Sequence, residues 1–487
     1  MSGEVGLVSF GAYIPRRRLD RKAAASANAW FNPGLMAAAK GERAMANWDE
    51  DAITMAVEAG RDCLTGFGAS DVDHLTFAST TMPFTDRQNA GIAALALELS
   101  EDIASSDVTS SQRAGTSALL ATANAVGAGS AENALIICAD KRKTRAASTH
   151  ELHFGDAGAA FLLGTKNVIA QLVGSHSVTV DFVDHFRGEG EDFDYNWEER
   201  WIRDEGFATI VPRAIKGVFE KTGVKGEDIA HFVMPCTFRG VPQKTAAKCG
   251  VNPDAIRDNL AATVGEAGTA HALLMLAHAL EDAKPGEKIL VASFGQGCDA
   301  IIFEATAALK DSAKRNGVSG SLANRKEETN YLKFLAFNGL VDLEKGMRAE
   351  KDNKTALTAT YRKRDMLYSL VGGKCSKCGT AQFPRSRICV GPNCGEVDSQ
   401  EPYSFADKPA KILSWSADFL TYSMDPPQHY GMVTFAEGGR FLADFTDVEH
   451  GTIDSGMDVR MVFRIKDFDV KRGFRRYFWK ATLPHGT

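Results

Sequence analysis

The 487-residue sequence contains no run of about 18 apolar residues, the length a membrane-crossing helix requires. It also lacks a surplus of positive charge. The formal net charge of −6 argues against a general binder of nucleic acid or of anionic membranes. The opening stretch MSGEVGLVSFGAYIP has neither the basic block nor the apolar block of a secretion signal, so a cytoplasmic protein without membrane attachment is expected. Cysteine is scarce, with nine in the chain, which excludes a disulfide scaffold. Five stand singly among apolar residues, as buried packing residues do; the other four cluster toward the C-terminus. At this length two or three domains with a large core are expected.

One local absence matters more than these. The stretch DVTSSQRAGTSALL, Asp107 to Leu120, is a small-residue turn running into an apolar helix. A nucleophile often stands at such an elbow, where the helix N-terminus favours an anion. Here the elbow offers Ser110, Ser111 and Gln112, and no thiol.

The first 310 residues alternate helical and strand patterns. DEDAITMAVEAGRDCL places Ile53, Val57, Gly60 and Leu64 on one helical face. HLTFAS, ALIICA, KILVASF and AIIFEAT are short apolar runs of the kind that form strands buried on both faces. This region also repeats itself. TGFGASDVDHLTFAST, from Thr65, matches TGVKGEDIAHFVMPCT, from Thr222, and the helix after Ala114-Gly115-Thr116 matches the one after Ala267-Gly268-Thr269. Two matches in the same order at nearly the same offset imply two similar α/β halves about a pseudo-twofold axis, with a ligand cleft between them. Ser111 to Arg113 and Gly265 to Glu266 should then face one another. The matched His74 and His231 are expected to anchor equivalent strand ends.

The polar segment KDSAKRNGVSGSLANRKEE reads as a linker, residues 311–330, followed by a helical connector over 331–372. Then comes KCSKCGTAQFPRSRICVGPNCGE. Its Cys375, Cys378, Cys389 and Cys394, with a C-x-x-C-G knuckle, form a closed four-thiolate set, expected to hold one structural zinc over residues 373–398. AKILSWSADF, YGMVTFAE, GRFLADF and DVRMVFRI alternate as strands of an antiparallel barrel, residues 399–487.

GAYIPRRRLDR, the elbow, HFGDAGAAFLLG and EDAKPGEKILVASFGQG together resemble the thiolase superfamily, nearest to 3-hydroxy-3-methylglutaryl-CoA synthases and ketoacyl-ACP synthase III. The resemblance implies a duplicated thiolase fold over residues 1–310, a homodimer or a hetero-oligomer, and an acyl-CoA substrate, CoA entering as part of it. In that family the elbow cysteine takes up an acyl group, a glutamate acts as acid and base, and a histidine or asparagine assists. This sequence has Gln112 in the cysteine's place, Thr80 in the glutamate's, Pro235 in the histidine's and Glu266 in the asparagine's. An amide cannot attack a thioester but can donate hydrogen bonds. In decarboxylating relatives a glutamine at this position helps stabilise an enolate.

The expected site is therefore Gln112, with Glu266 as acid/base if burial raises its pKa, or as a helix-dipole partner if not. His271 is expected to be a proton shuttle or a structural histidine, and Cys298 a displaced nucleophile or a packing residue. Gly295, Gln296 and Gly297 resemble the family's oxyanion loop. CSKCGTAQFPRSRIC resembles zinc-ribbon/OB-fold proteins that accompany thiolases and acyl-CoA aldolases. Trp415, Phe419, Tyr422 and Tyr430 would suit a nucleic-acid platform, but beside a CoA-enzyme fold the barrel is expected to cover an acyl-CoA channel. The leading function is C–C bond chemistry next to a CoA thioester, retro-aldol or retro-Claisen, through an enolate without an acyl-cysteine. The alternatives are a synthase with a relocated nucleophile and a non-catalytic acyl-CoA-binding scaffold.

Overall fold

A computed structural model describes residues 5–485. Residues 1–4 and 486–487, the outer tips of the first and last expected domains, lie outside them. The chain divides into two compact units. The first runs up to Ala46 and includes Asp51–Gly91 and Leu99–Val341; the second takes Asn47–Glu50, Ile92–Glu98 and the chain from Asp342 onward.

The first half of the α/β region runs β1 (Gly6–Tyr13), α1 (Ala52–Cys63), β2 (His74–Ala78), α2 (Asn89–Ala96, whose residues from Ile92 belong to the second unit), β3 (Ala104–Val108), α3 (Ala114–Gly127), β4 (Ala134–Asp140) and β5 (Ala157–Gly164). The second half repeats this plan. It runs β6 (Ala170–Thr179), α4 (Val211–Thr222), β7 (Ile229–Val233), α5 (Val241–Cys249), α6 (His271–Asp282), β8 (Lys288–Phe294) and β9 (Gly297–Ala305). Where β3 would recur, a single parallel bridge joins Phe232 to Ile256. Among the described residues nine strands form one sheet in the order β7-β8-β9-β6-β1-β5-β4-β2-β3. β2 pairs in parallel with β3 and β4, β7 in parallel with β8, and the other neighbours are antiparallel. The two halves are thus near mirror copies in strand order, meeting where Gly6 and Leu7 pair with Gln171 and Ala170.

The apolar runs fold as strands because both faces of the sheet are covered. β4 is buried along its whole length, and so are β5 and all of β9 but Glu304. α1 starts at Asp51, whose carboxylate accepts from Thr54 N–H while the Thr54 hydroxyl accepts from Asp51 N–H. Ile53, Val57 and Gly60 are buried, whereas Leu64 is the half-buried C-cap. Of the repeat histidines, His74 begins β2 and lies 3.2 Å from Thr76 Oγ1 of the same strand, whereas His231 stands mid-strand in β7 and pairs with Glu287, just before β8, at 3.0 Å.

Residues 311–330, expected as a linker, are folded. They carry a helix, Gly317–Ala323, and a strand, Lys326–Glu328, that pairs with Arg17–Asp20. Val318 supplies one apolar anchor in the core, and Glu328 forms a buried pair with Arg17 at 2.9 Å. Leu322 packs against the same core, but two apolar residues in a polar stretch are too faint a signal to read. The connector over 331–372 is helical at Tyr331–Phe337, Leu357–Arg362 and Arg364–Tyr368, with one 3-10 turn at Met347–Ala349. The first of these stops just before Gly339, whose φ of 68° is the left-handed conformation that ends helices.

In the second unit three short strands, Val371–Cys375, Ala381–Gln382 and Gln400–Ser404, frame the cysteine knuckles. A five-stranded antiparallel sheet follows, formed by Ala410–Asp418, Gln428–Phe435, Arg440–Asp444, Asp458–Asp469 and Phe474–Thr482. A bridge from Phe445 to Ala481 brings its two outer strands together, so the sheet curls into a barrel. No helix of the described residues is long and apolar enough to cross a membrane.

Candidate active site

The elbow between β3 and α3 turns sharply. Ser110 takes φ 76°, a left-handed conformation uncommon for serine, and Gln112 follows just before the helix. The loop between β8 and β9 lies against it. Gly295 carbonyl accepts from the Ser111 hydroxyl at 3.0 Å and from Arg113 Nε at 2.9 Å. A Cβ on Gly295 would come within 2.8 Å of Arg113 N, so only glycine allows this approach. Gly295 N–H donates to Gly297 carbonyl at 3.0 Å. Expected as an oxyanion donor, it instead closes the turn, in which Gln296 has φ 55° and Gly297 φ 123°.

The Ala-Gly-Thr motifs tie the halves together. Thr269, of the second half, gives Asp140 Oδ2 its N–H at 2.8 Å and its hydroxyl at 2.9 Å. Thr116, of the first half, gives Asp299 its hydroxyl at 2.9 Å. Asp140 also accepts from Ser79, from Thr80 N–H and hydroxyl, and from Thr81. Asp299 accepts from Arg113 at 2.8 Å, Ser117 at 2.8 Å and Ser177 at 2.7 Å.

Gln112 and Glu266, expected to face one another, have different partners. Gln112 Nε2 lies 3.2 Å from His185 Nε2, and His185 Nδ1 lies 3.0 Å from Asp184 Oδ2. Glu266 is paired with Arg142 through one oxygen, while its other oxygen accepts Gly268 N–H at 2.8 Å. With both oxygens engaged it is an ion-pair partner rather than the carboxylate of a dry pocket. Arg142 is buried over the Phe154 ring at 3.7 Å and also holds Asp194 at 2.7 Å. Burial works against its charge, yet Glu266 and Asp194 leave its pKa raised. Asp194 in turn binds Arg187 at 2.9 Å, and Arg187 donates to Thr80 carbonyl. A short hairpin, His185–Phe186 with Tyr195–Asn196, thus supplies three of the polar groups around the elbow.

His271 corrects the shuttle reading. Its Nδ1 accepts Ala267 N–H at 3.1 Å and its Nε2–H reaches Asn259 carbonyl at 2.9 Å, so both ring nitrogens are committed to backbone. Burial pushes its pKa down, which favours this neutral form. Cys298 stands in β9, fully buried in the core, where burial and then Asp299 push its thiol pKa up, the setting of a packing residue rather than of a nucleophile. Cys298→Ser is accordingly expected to leave turnover within about threefold while costing about 1–2 kcal/mol for burying a hydroxyl among apolar groups. Steady-state kinetics alongside a denaturant titration checks both.

The sequence reading missed Asp140, Arg142, Asp184, His185, Arg187, Asp194 and Asp299. Asp140 and Arg142 had a signal, because charged residues directly after a buried strand mark the carboxyl end of a sheet. The hairpin residues had none, since their segment lies outside both matched stretches of the repeat.

In the second unit the four thiols stand together, all Sγ atoms within 4.8 Å of one another. Cys375 and Cys394 are 3.9 Å apart, and Cys378 and Cys389 3.5 Å. A tetrahedral zinc with bonds of about 2.3 Å needs sulfur separations of about 3.8 Å, so the residues fit the metal.

Comparison with known proteins gives three family matches. Residues 219–304 match the C-terminal domain of 3-oxoacyl-[acyl-carrier-protein] synthase III; residues 364–398 match the rubredoxin-like zinc ribbon of ChsH2, and residues 405–464 its C-terminal OB-fold. The chain joins a thiolase-like α/β fold to a zinc ribbon and an OB-fold. The hydroxymethylglutaryl-CoA synthase of Methanopyrus kandleri is 29% identical over 321 residues, which is 64% of this chain and 90% of that protein. That of Caldivirga maquilingensis is 28% identical over 350 residues, 70% of this chain and 99% of the relative. A crystal structure of HMG-CoA synthase complexed with CoA aligns on the thiolase fold with TM-score 0.61 at 18% identity, covering 72% of this chain and 95% of that one. The stretch that matches the zinc ribbon thus carries the four-cysteine cluster.

Proposed function

We propose that this protein is an acyl-CoA enzyme that acts on a C–C bond adjacent to the thioester, in the cleavage direction, through an enolate and without an acyl-cysteine. Its condensing-enzyme relatives support the acyl-CoA part of this reading. The observation that carries the rest is Gln112 at the elbow. In the thiolase domain Cys63, Cys138, Cys236 and Cys298 are buried and Cys249 half-buried. Burial pushes Cys63 and Cys236 up to about 12, which keeps them protonated near neutral pH. Gln112 is suited to hold the thioester oxygen: one amide N–H faces His185, and the other is left for a ligand. As negative charge develops on that oxygen, the hydrogen bond strengthens, and this lowers the barrier. Zinc on Cys375, Cys378, Cys389 and Cys394 would be structural, because four thiolates leave no open position for substrate.

The test is a panel of 3-hydroxyacyl- and 3-oxoacyl-CoA thioesters offered to the purified chain, read for release of acetyl-CoA or propionyl-CoA. Gln112→Ala should lower turnover on the order of 10²-fold with little change in CoA affinity. Absence of turnover would favour a binding scaffold. An acyl adduct found by mass spectrometry would return the chain to the synthase class.

We further propose a homodimer built on the thiolase domain. Among the described residues β3 is an edge strand of the sheet, and a strand edge invites pairing with another copy. Light scattering at micromolar concentration should give twice the chain mass, and a monomer there would exclude it.

A further inference from the structure

The Gln112 amide carries a donor and an acceptor side by side, and the reaction above uses only the donor. Its Oε1 is buried without a hydrogen-bond partner among the described residues. Beside it, the carboxylate 3.0 Å from His185 Nδ1 keeps the imidazole proton on that nitrogen. His185 Nε2 therefore directs a lone pair to the elbow, where the Gln112 N–H lies 3.2 Å away. The elbow presents Oε1 as an open acceptor, and His185 Nε2 becomes a second one when the thioester oxygen takes the amide N–H that now faces it.

A 3-hydroxyacyl thioester carries the complementary pair. Its thioester oxygen accepts, and its 3-hydroxyl, two carbons along, donates. A 3-oxoacyl thioester offers two acceptors, and its ketone oxygen would meet Oε1 and Nε2 with no proton between them. We infer that the Gln112 amide reads a 3-hydroxyacyl thioester at both positions, N–H on the thioester oxygen and Oε1 on the hydroxyl, with His185 receiving the hydroxyl proton. This rests on the C–C bond chemistry proposed above and narrows it to aldol cleavage.

The step balances without a further reactant. His185 Nε2 takes the hydroxyl proton as the C2–C3 bond breaks. The hydroxyl oxygen becomes a carbonyl, and the electron pair of the broken bond forms the thioester enolate, held by the Gln112 N–H. The imidazolium then returns its proton to C2. The products are an aldehyde or ketone and the shortened acyl-CoA. Asp184 is a positioning residue, since it acts through His185.

The experiment uses the zinc-replete full chain with 3-hydroxyacyl- and 3-oxoacyl-CoA of equal chain length. The hydroxy substrate should be cleaved with a kcat/KM at least about 10²-fold higher, because a buried acceptor penalises a substrate lacking the donor. His185→Ala should lose about 10²- to 10⁴-fold in kcat with KM within a few-fold, and free imidazole should restore part of the loss. Gln112→Glu, which exchanges the donor for a second acceptor, should fall with it. Preferred cleavage of the 3-oxo substrate would overturn the inference and leave the wider reading standing. So would an unchanged kcat in both His185→Ala and His185→Gln. Cleavage of neither substrate by the unaltered chain would overturn both.

Discussion

Cys378→Ser is expected to abolish zinc binding and unfold the ribbon, leaving the thiolase domain folded. The three ribbon strands are short, and the buried apolar residues between them are few: Ala381, with Cys375 and Cys389 themselves among the ligands. So small a core cannot offset the conformational entropy of its loops. Structural zinc in such modules contributes about 10–16 kcal/mol of apparent binding energy, and that energy is folding energy. Cys378 is the exposed member of the four, so its loss removes a ligand with little damage to packing. Metal analysis should give one zinc per chain, and none for the variant. Amide exchange should accelerate across residues 371–405 and stay slow in β4, β5 and β9. Unaltered chain that contains no zinc when freshly purified would sink the assignment.

Asp140→Ala should destabilise the thiolase domain by about 3 kcal/mol or more. Asp140 is fully buried at the end of β4 and accepts six hydrogen bonds, from Ser79, Thr80 (two), Thr81 and Thr269 (two). Removing the carboxylate strands donors that water cannot reach, each at about 1–3 kcal/mol before relaxation. Asp140→Asn keeps the shape but exchanges one acceptor for a donor, so it should fall between. Thr269→Val removes one of the six and should cost about 1–2 kcal/mol. Denaturant midpoints at constant m-value order the three, and an Asp140→Ala cost under about 1 kcal/mol would contradict the network described here.

The fold was largely legible because its signals are long-range and redundant. β4 and β8 announce themselves as unbroken apolar runs, and the Ala-Gly-Thr repeat gives the duplication. The four-cysteine spacing is nearly self-sufficient, since few structures other than a metal site place thiols that way. Residues 311–330 were misread because their helix is anchored by two apolar side chains, Val318 and Leu322, and by contacts from Arg18 and Glu281 that are distant in sequence, which composition cannot register. The site was legible at Gln112, which the elbow pattern singles out. It was not legible at His185, which reaches Gln112, or at Asp194, which reaches Arg142, both carried on a hairpin of mixed aromatic and acidic residues. Glu266 was found for its position and misjudged for its surroundings, because Arg142 lies 124 residues away in sequence and pairs with it only in three dimensions.

The crossed contacts of the Ala-Gly-Thr threonines bear on how this domain can change over evolution. Each half supplies the hydroxyl that completes the other's buried aspartate, Thr116 to Asp299 and Thr269 to Asp140. The two copies left by the ancient duplication are therefore no longer interchangeable modules. A recombination that imported one half from a distant homologue would survive only if donor and recipient already agreed on both threonine–aspartate couples. The seam between the halves acts as a filter on inheritance, so drift in either half is checked by the other, even where neither residue meets substrate.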